Sequence, residues 1–170
     1  ETCKRILKFG LFFFVLQLAG ALGFQSDNLV IAYFLGAHQL PQYAVPMRLF
    51  TLIPMALNLI LAPLWPAYGE ALARKDFMWI RRAFTNSLLL TSVISLAPSI
   101  LLAAFGQEVI RLWVVPEIRP SGPLLLGFAA WAVIYSMSVS TAMLLNGVNI
   151  IRFQVIFALL MGCSNLTISI

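Results

Sequence analysis

Long apolar runs separated by short clusters of charge organise this chain. Hydropathy marks five stretches, at about residues 9–35, 43–66, 83–105, 124–145 and 153–170, each close to or above the roughly 20 residues that cross a hydrocarbon layer about 30 Å thick. The first exceeds the length of one crossing, so it is expected to tilt or to extend past the lipid. Between them lie a tight turn (GAHQLPQ), a charged loop from Tyr68 to Arg82, a Pro-rich loop from Gly106 to Pro123 and a short link from Asn146 to Arg152. The pattern predicts an all-α, polytopic transmembrane helix bundle, with residues 1–170 forming a single transmembrane fragment.

Composition agrees. Of 170 residues, 61% are hydrophobic and 10% charged, against about 45–50% and 25% in a soluble domain, so a large soluble domain is excluded. The formal charge of +5 raises nucleic acid as a partner, but the cations sit in clusters between apolar runs rather than along one face, and no nucleic acid is expected. They read instead as topology signals. Lys4, Arg5, Lys8, Arg74, Lys75, Arg81, Arg82 and Arg152 fall on one side of the spans, only Arg111 and Arg119 on the other, with Arg48 inside a span. The positive-inside rule then makes the first side, and with it the N-terminal end, cytoplasmic. Cys3 and Cys163 stand far apart with no metal-ligand spacing, so neither a disulfide framework nor a metal site is indicated. The chain opens at Glu1 without the marks of a signal peptide and stops inside an apolar run, which leads us to expect an internal fragment.

Against this background the intramembrane polar residues stand out. Asp27 would cost about 2.5–3.5 kcal/mol at the centre of a membrane helix, so it needs a partner or water. Gly23 and Gly20 lie one and two turns before it, on a stripe without side chains that another helix or a water-filled space can approach. Gln25, Ser26 and Asn28 flank it, and such a cluster is not expected to face lipid. Arg48 is the second anomaly. One reading is snorkelling, with the stem among apolar neighbours and the head at the interface. The other is pairing: in an antiparallel hairpin closed through GAHQLPQ, Asp27 and Arg48 lie equally far from the turn centre between Ala37 and His38, and therefore at one depth. The second span also carries Asn58 and a run of prolines (Pro41, Pro46, Pro54, Pro63, Pro66), which suggests a kinked helix able to hinge, although membrane helices are commonly rich in Pro.

Other features carry less. His38 lacks an acidic neighbour and is not expected to relay protons. Met55, Met137, Met143 and Met161 read as packing or lipid-facing residues. In the charged loop, Glu70 and Arg74 at i, i+4 favour a helical turn, and Trp79 with Arg81 and Arg82 suits a connector anchored at the headgroups. The segment VIRLWVV fits either an interfacial segment or an ordinary outer loop. No phosphate loop, GxSxG, HExxH or close carboxylate pair is present, so the chain is not expected to be an enzyme and calls for no cofactor.

Three segments in order resemble a known family. Asp27 to Gly36 places an acidic residue ahead of an aliphatic run ending in Leu-Gly; Tyr43 to Leu49 reads Y-x-V-x-x-R-L; Pro63 to Ala71 reads P-x-x-P-x-x-x-E-A and leads into the mixed-charge loop. Together they resemble the lipid-linked oligosaccharide flippases, of the polysaccharide or O-antigen type, in the multidrug/oligosaccharidyl-lipid/polysaccharide exporter superfamily. The resemblance covers most of the chain. It implies a two-half helix bundle around a lumen, of which these spans form part of one half, in a bacterial inner membrane.

The implied function is alternating-access transport of an undecaprenyl-pyrophosphate glycan from the inner to the outer leaflet, serving polysaccharide or lipopolysaccharide O-antigen synthesis. Arg48 would grip the pyrophosphate, and Asp27 would orient it or carry a coupled proton or sodium ion. Asp27, Arg48, Gln25, Asn28 and Asn58 are thus the candidate lumen residues, with membrane lipids as the other partner. The alternatives are a cation-coupled multidrug exporter of the same superfamily, which has less use for a lone Arg, a membrane glycan polymerase or ligase, which would need a catalytic outer loop, and a non-catalytic membrane subunit.

Overall fold

A computed structural model describes residues 10, 11, 14, 18, 28, 30, 31, 33, 34, 36, 38–113, 118–150, 154–157, 160 and 164. The described part is all helical, with turns between helices and no strand. Four helices are defined: α1 (Leu40–Leu61), α2 (Leu64–Ala73), α3 (Phe77–Trp113) and α4 (Gly122–Gly147). Of these, α1, α3 and α4 are long and apolar enough to cross a membrane, so the protein is a membrane protein. The chain divides into two compact units, residues 41–148 and residues 1–40 with 149–170. In the second unit the described residues of 10–34 and 154–164 are helical, and Gly36 (φ +86°) opens a turn closed by the Gln39 N–H donating to the Gly36 carbonyl at 3.1 Å.

Helix ends fall where local chemistry puts them, which moves several expected boundaries. The expected span 43–66 is two helices: α1 ends at Leu61, Ala62 and Pro63 turn, and α2 starts at Leu64. Pro63 and Pro66 stand at the start of α2 and Pro41 at the start of α1, where the missing N–H has no helical partner to lose. Pro46 and Pro54 lie inside α1, which nevertheless continues through both. The residues read as a charged loop are almost entirely helical, reduced to the turn Arg74–Lys75–Asp76. Lys75 takes the left-handed conformation (φ +57°), and the Asp76 carboxylate accepts from the Trp79 N–H at 3.0 Å, satisfying an orphan donor of the first turn of α3. The Glu70–Arg74 pair at i, i+4 forms as expected, on the surface of α2 and beyond its last residue. The Pro-rich loop is shorter than expected because α3 runs on to Trp113, taking in VIRLW as helix, and α4 begins at Gly122. At 37 residues, α3 is about 55 Å long and exceeds the hydrocarbon thickness.

Helices α3 and α4 meet along a seam of short side chains. The fully packed residues of α3 are Ser87, Thr91, Ser95, Ser99, Gly106 and Ile110, at spacings of four and seven that line one face. Ser136 and Ser140 face the seam from α4, both fully buried. The large side chains of α3, among them Leu89, Val93, Leu96, Ile100 and Phe105, point outward. This is the reverse of a soluble helix. Lipid tails are as apolar as Leu, so burying Leu between helices gains nothing, while small residues let backbones approach and pack. At the seam Ser87 Oγ donates to the Phe84 carbonyl (2.9 Å), leaving its oxygen to accept from Ser140 Oγ (2.8 Å). Gly147, at the end of α4, closes against α2 so tightly that a Cβ there would lie 2.5 Å from Tyr68 Cβ and 2.7 Å from the Trp65 carbonyl oxygen.

Helix α1 joins α4 differently. Phe50, Ile53 and Leu57 pack on Leu125, Phe128 and Ala132, with Phe50 stacked on Phe128 (centroids 5.9 Å apart) and Tyr43 against the same ring at 5.2 Å. Bulky rings here take the place of the small residues of the other seam. A second cluster of Leu61, Tyr68, Val139 and Met143 ties the end of α1 and α2 to the other end of α4.

Gly147→Ala should lower the thermal transition of the detergent-solubilised protein, by an overpacking cost of about 1–3 kcal/mol, because one blocking atom is a backbone oxygen. Gly69→Ala, whose Cβ would meet only the Gly147 carbonyl oxygen at 3.4 Å, should leave it nearly unchanged; equal effects would refute the close approach. In the hydroxyl seam, Ser87→Ala should destabilise by about 0.6 kcal/mol. Thr91→Val should be neutral or stabilising, since the buried Thr91 hydroxyl has no hydrogen-bond partner and its removal leaves nothing unpaired. A Thr91→Val protein that melts below Ser87→Ala would overturn this assignment.

Candidate translocation face

The packed and free faces of α1 are set by its helical period. Pro46, Leu49, Phe50, Ile53, Pro54, Leu57 and Leu61 are buried and span one side at 100° per residue. On the opposite side Arg48, Thr51, Met55, Asn58 and Ala62 recur at spacings of three and four and share a single stripe. Arg48, Met55, Asn58 and Ala62 are exposed and Thr51 half-buried. Both interior prolines therefore sit toward the core, and Arg48, Thr51 and Asn58 point away from it, while Gln42 lies on the packed side and accepts from the Arg119 N–H at 2.9 Å.

Three polar groups occupy that stripe. Thr51 Oγ1 donates to the Met47 carbonyl at 2.7 Å, one turn back, so its proton is used within the helix and its lone pairs remain available. The side chains of Arg48 and Asn58 have no hydrogen-bond or ion-pair partner among the described residues. They stand about 15 Å apart along the axis. Arg48 lies eight residues into α1, about 12 Å from its start. A guanidinium at that depth offers five fixed donors and no acceptor, suited to a bidentate anionic oxygen group. Its exposure is compatible with snorkelling and with ligand binding alike.

The structure thus brings Arg48 and Asn58 onto one face of α1. Asn28 is described: it is helical and half-buried, and its Oδ1 is enclosed with no hydrogen-bond partner among the described residues. Asp27, Gln25, Ser26, Gly20 and Gly23 lie outside the described residues, and with them the proposed Asp27–Arg48 pair. So do Cys3, Cys163 and Met161. His38 is exposed in the turn before α1, Met55 and Met137 are exposed, and Met143 is packed. Thr51 was not among the sequence candidates, although its position three residues after Arg48 and seven before Asn58 was the available signal. The hydroxyls at 87, 91, 95 and 99 were also passed over, their signal being the unbroken four-residue repeat.

Comparison with known proteins adds one match. Residues 1–115 match the family described as polysaccharide biosynthesis protein, a stretch that includes α1, α2 and all of α3. No curated protein and no solved structure matches the chain. With 115 of its 170 residues matched and three helices able to cross a membrane, this chain belongs to the polysaccharide biosynthesis protein family and is a membrane-embedded member of it.

Proposed function

We propose that this chain is part of a carrier that moves a lipid-linked oligosaccharide, held on an undecaprenyl pyrophosphate, from the inner to the outer leaflet of a bacterial inner membrane by alternating access. The observation that carries the reading is Arg48, a cation without an acidic partner among the described residues, on the face of an apolar helix opposite the one committed to packing. A lone Arg within a membrane helix costs about 2.5–3.5 kcal/mol. Pyrophosphate can offset that cost, because it offers paired anionic oxygens to the guanidinium fork. Thr51 and Asn58, on the same stripe, supply acceptors and donors for sugar or phosphate oxygens. In this reading no covalent bond is made or broken, and the protein is a transporter rather than an enzyme. Asp27 and its neighbours Gln25 and Asn28 are assigned to the same pathway, with Asp27 orienting Arg48 or carrying the coupling proton or sodium ion. The basic turn at Arg74–Lys75 lies on the cytoplasmic side.

Complementation of a strain lacking its glycan flippase by the full-length protein tests this. Arg48→Ala is expected to abolish surface glycan at normal membrane levels. Arg48→Lys should retain partial function, since it keeps the charge and loses the fork, and Asp27→Asn should impair. Val93→Ala, on the outward apolar face of α3, should behave as wild type. Full complementation by Arg48→Ala would sink the proposal.

A further inference from the structure

The elbow between α2 and α3 gathers cations and large apolar side chains on one exposed end of the unit. Arg74, Lys75, Arg81 and Arg82 all lie within nine residues and are exposed. Arg74 is paired with Glu70, and the Asp76 carboxylate is occupied in capping α3. Lys75, Arg81 and Arg82 therefore remain without an acidic partner among the described residues. Around them Phe77 is 63% exposed, Met78 64% and Trp79 39%.

The elbow is held in place rather than hanging as a loop. Only three residues separate the helices, and the Arg74 and Asp76 N–H groups donate to the Glu70 and Ala71 carbonyls at 3.1 and 2.9 Å. Trp79 packs edge-on against the fully buried Tyr68 ring at 5.9 Å, and Tyr68 is in turn pressed against Gly147. Cations and apolar rings thus keep fixed relative positions.

We propose that this elbow binds the headgroups of anionic phospholipids, with Lys75, Arg81 and Arg82 on the phosphates and Phe77, Met78 and Trp79 in the boundary between headgroups and acyl chains. Charge complementarity supplies half of the argument. Continuity supplies the other half: α3 passes from this cluster directly into its outward Leu89, Leu90 and Val93, the face that lipid tails cover. A soluble acidic partner would leave that apolar girdle unmatched, whereas a bilayer matches both, with Trp79 at the interface and the long Arg81 and Arg82 side chains, one turn nearer the girdle, reaching back to the headgroups. This surface is independent of Arg48 and of the transport reading.

The test uses the full-length protein in nanodiscs of phosphatidylethanolamine containing phosphatidylglycerol, followed by native mass spectrometry of the lipids it retains. The wild type should retain phosphatidylglycerol preferentially, and the preference should fall as salt rises. K75Q/R81Q/R82Q should weaken phosphatidylglycerol retention at least about fivefold, the gain that one basic side chain confers near an anionic surface, with phosphatidylethanolamine unchanged. The charge-preserving K75R/R81K/R82K should keep it. Brominated phosphatidylglycerol should also quench Trp79, in a protein with its other tryptophans replaced by Phe, more than brominated phosphatidylethanolamine does. Equal retention of the two lipids by the wild type, or unaltered retention by K75Q/R81Q/R82Q, would overturn the proposal.

Discussion

Within a bilayer two apolar helices gain nothing by hiding Leu from lipid, so what holds α3 to α4 is the closeness that Ser, Thr and Gly permit. Ser87, Thr91, Ser95 and Ser99 supply a flat strip with nothing larger than a Thr side chain, and Ser136 and Ser140 answer it from α4. Most of these hydroxyls are satisfied locally, by carbonyls three or four residues back or, at Ser87 and Ser140, by each other. Their cost in hydrocarbon is thereby reduced while their small size is kept. The remaining architecture is arranged around that seam. Because the strip consumes the inner face of α3, Leu89, Val93, Leu96, Ile100 and Phe105 turn outward.

The same constraint explains why α1 carries the polar stripe. Packing against α4 through Phe50, Ile53 and Leu57 occupies one side of the helix with bulky groups. Pro46 and Pro54 stand on that side too, fully buried. A ring that removes an N–H leaves a carbonyl without its helical donor, and on the packed side this weak point is shielded from lipid. The opposite side is left free of structural duty. Arg48, Thr51 and Asn58 occupy it without disturbing the fold, which separates the groups that hold the helix from the groups that can meet a ligand.

Much of this was legible in advance. The existence of the long helices α1, α3 and α4 follows from unbroken apolar length, because a chain in lipid must satisfy every backbone group internally. Boundaries were less legible. Hydropathy ends a span at the first charges, but Arg81, Arg82, Glu108 and Arg111 continue the backbone hydrogen bonding of α3 at both ends. The proline count suggested a kinked helix able to hinge; the helix runs on through Pro46 and Pro54 and ends at Ala62–Pro63. Proline limits what a helix can bond, and neighbours decide whether it breaks.

The sequence by itself determined that this is an all-helical membrane chain, that Arg48 and Asn58 share a helix, and, through residues 1–115, that it belongs with polysaccharide biosynthesis proteins. Composition, apolar length and the spacing of residues along one helix carry that information, since each is local. Only the tertiary structure decided which side of each helix is packed. In a membrane the usual rule of apolar inside fails, because Leu is at home on either side. Which of the two faces of α1 was left for Arg48 therefore depended on where Phe128 and Ala132 of α4 came to rest, a contact about eighty residues away in the chain.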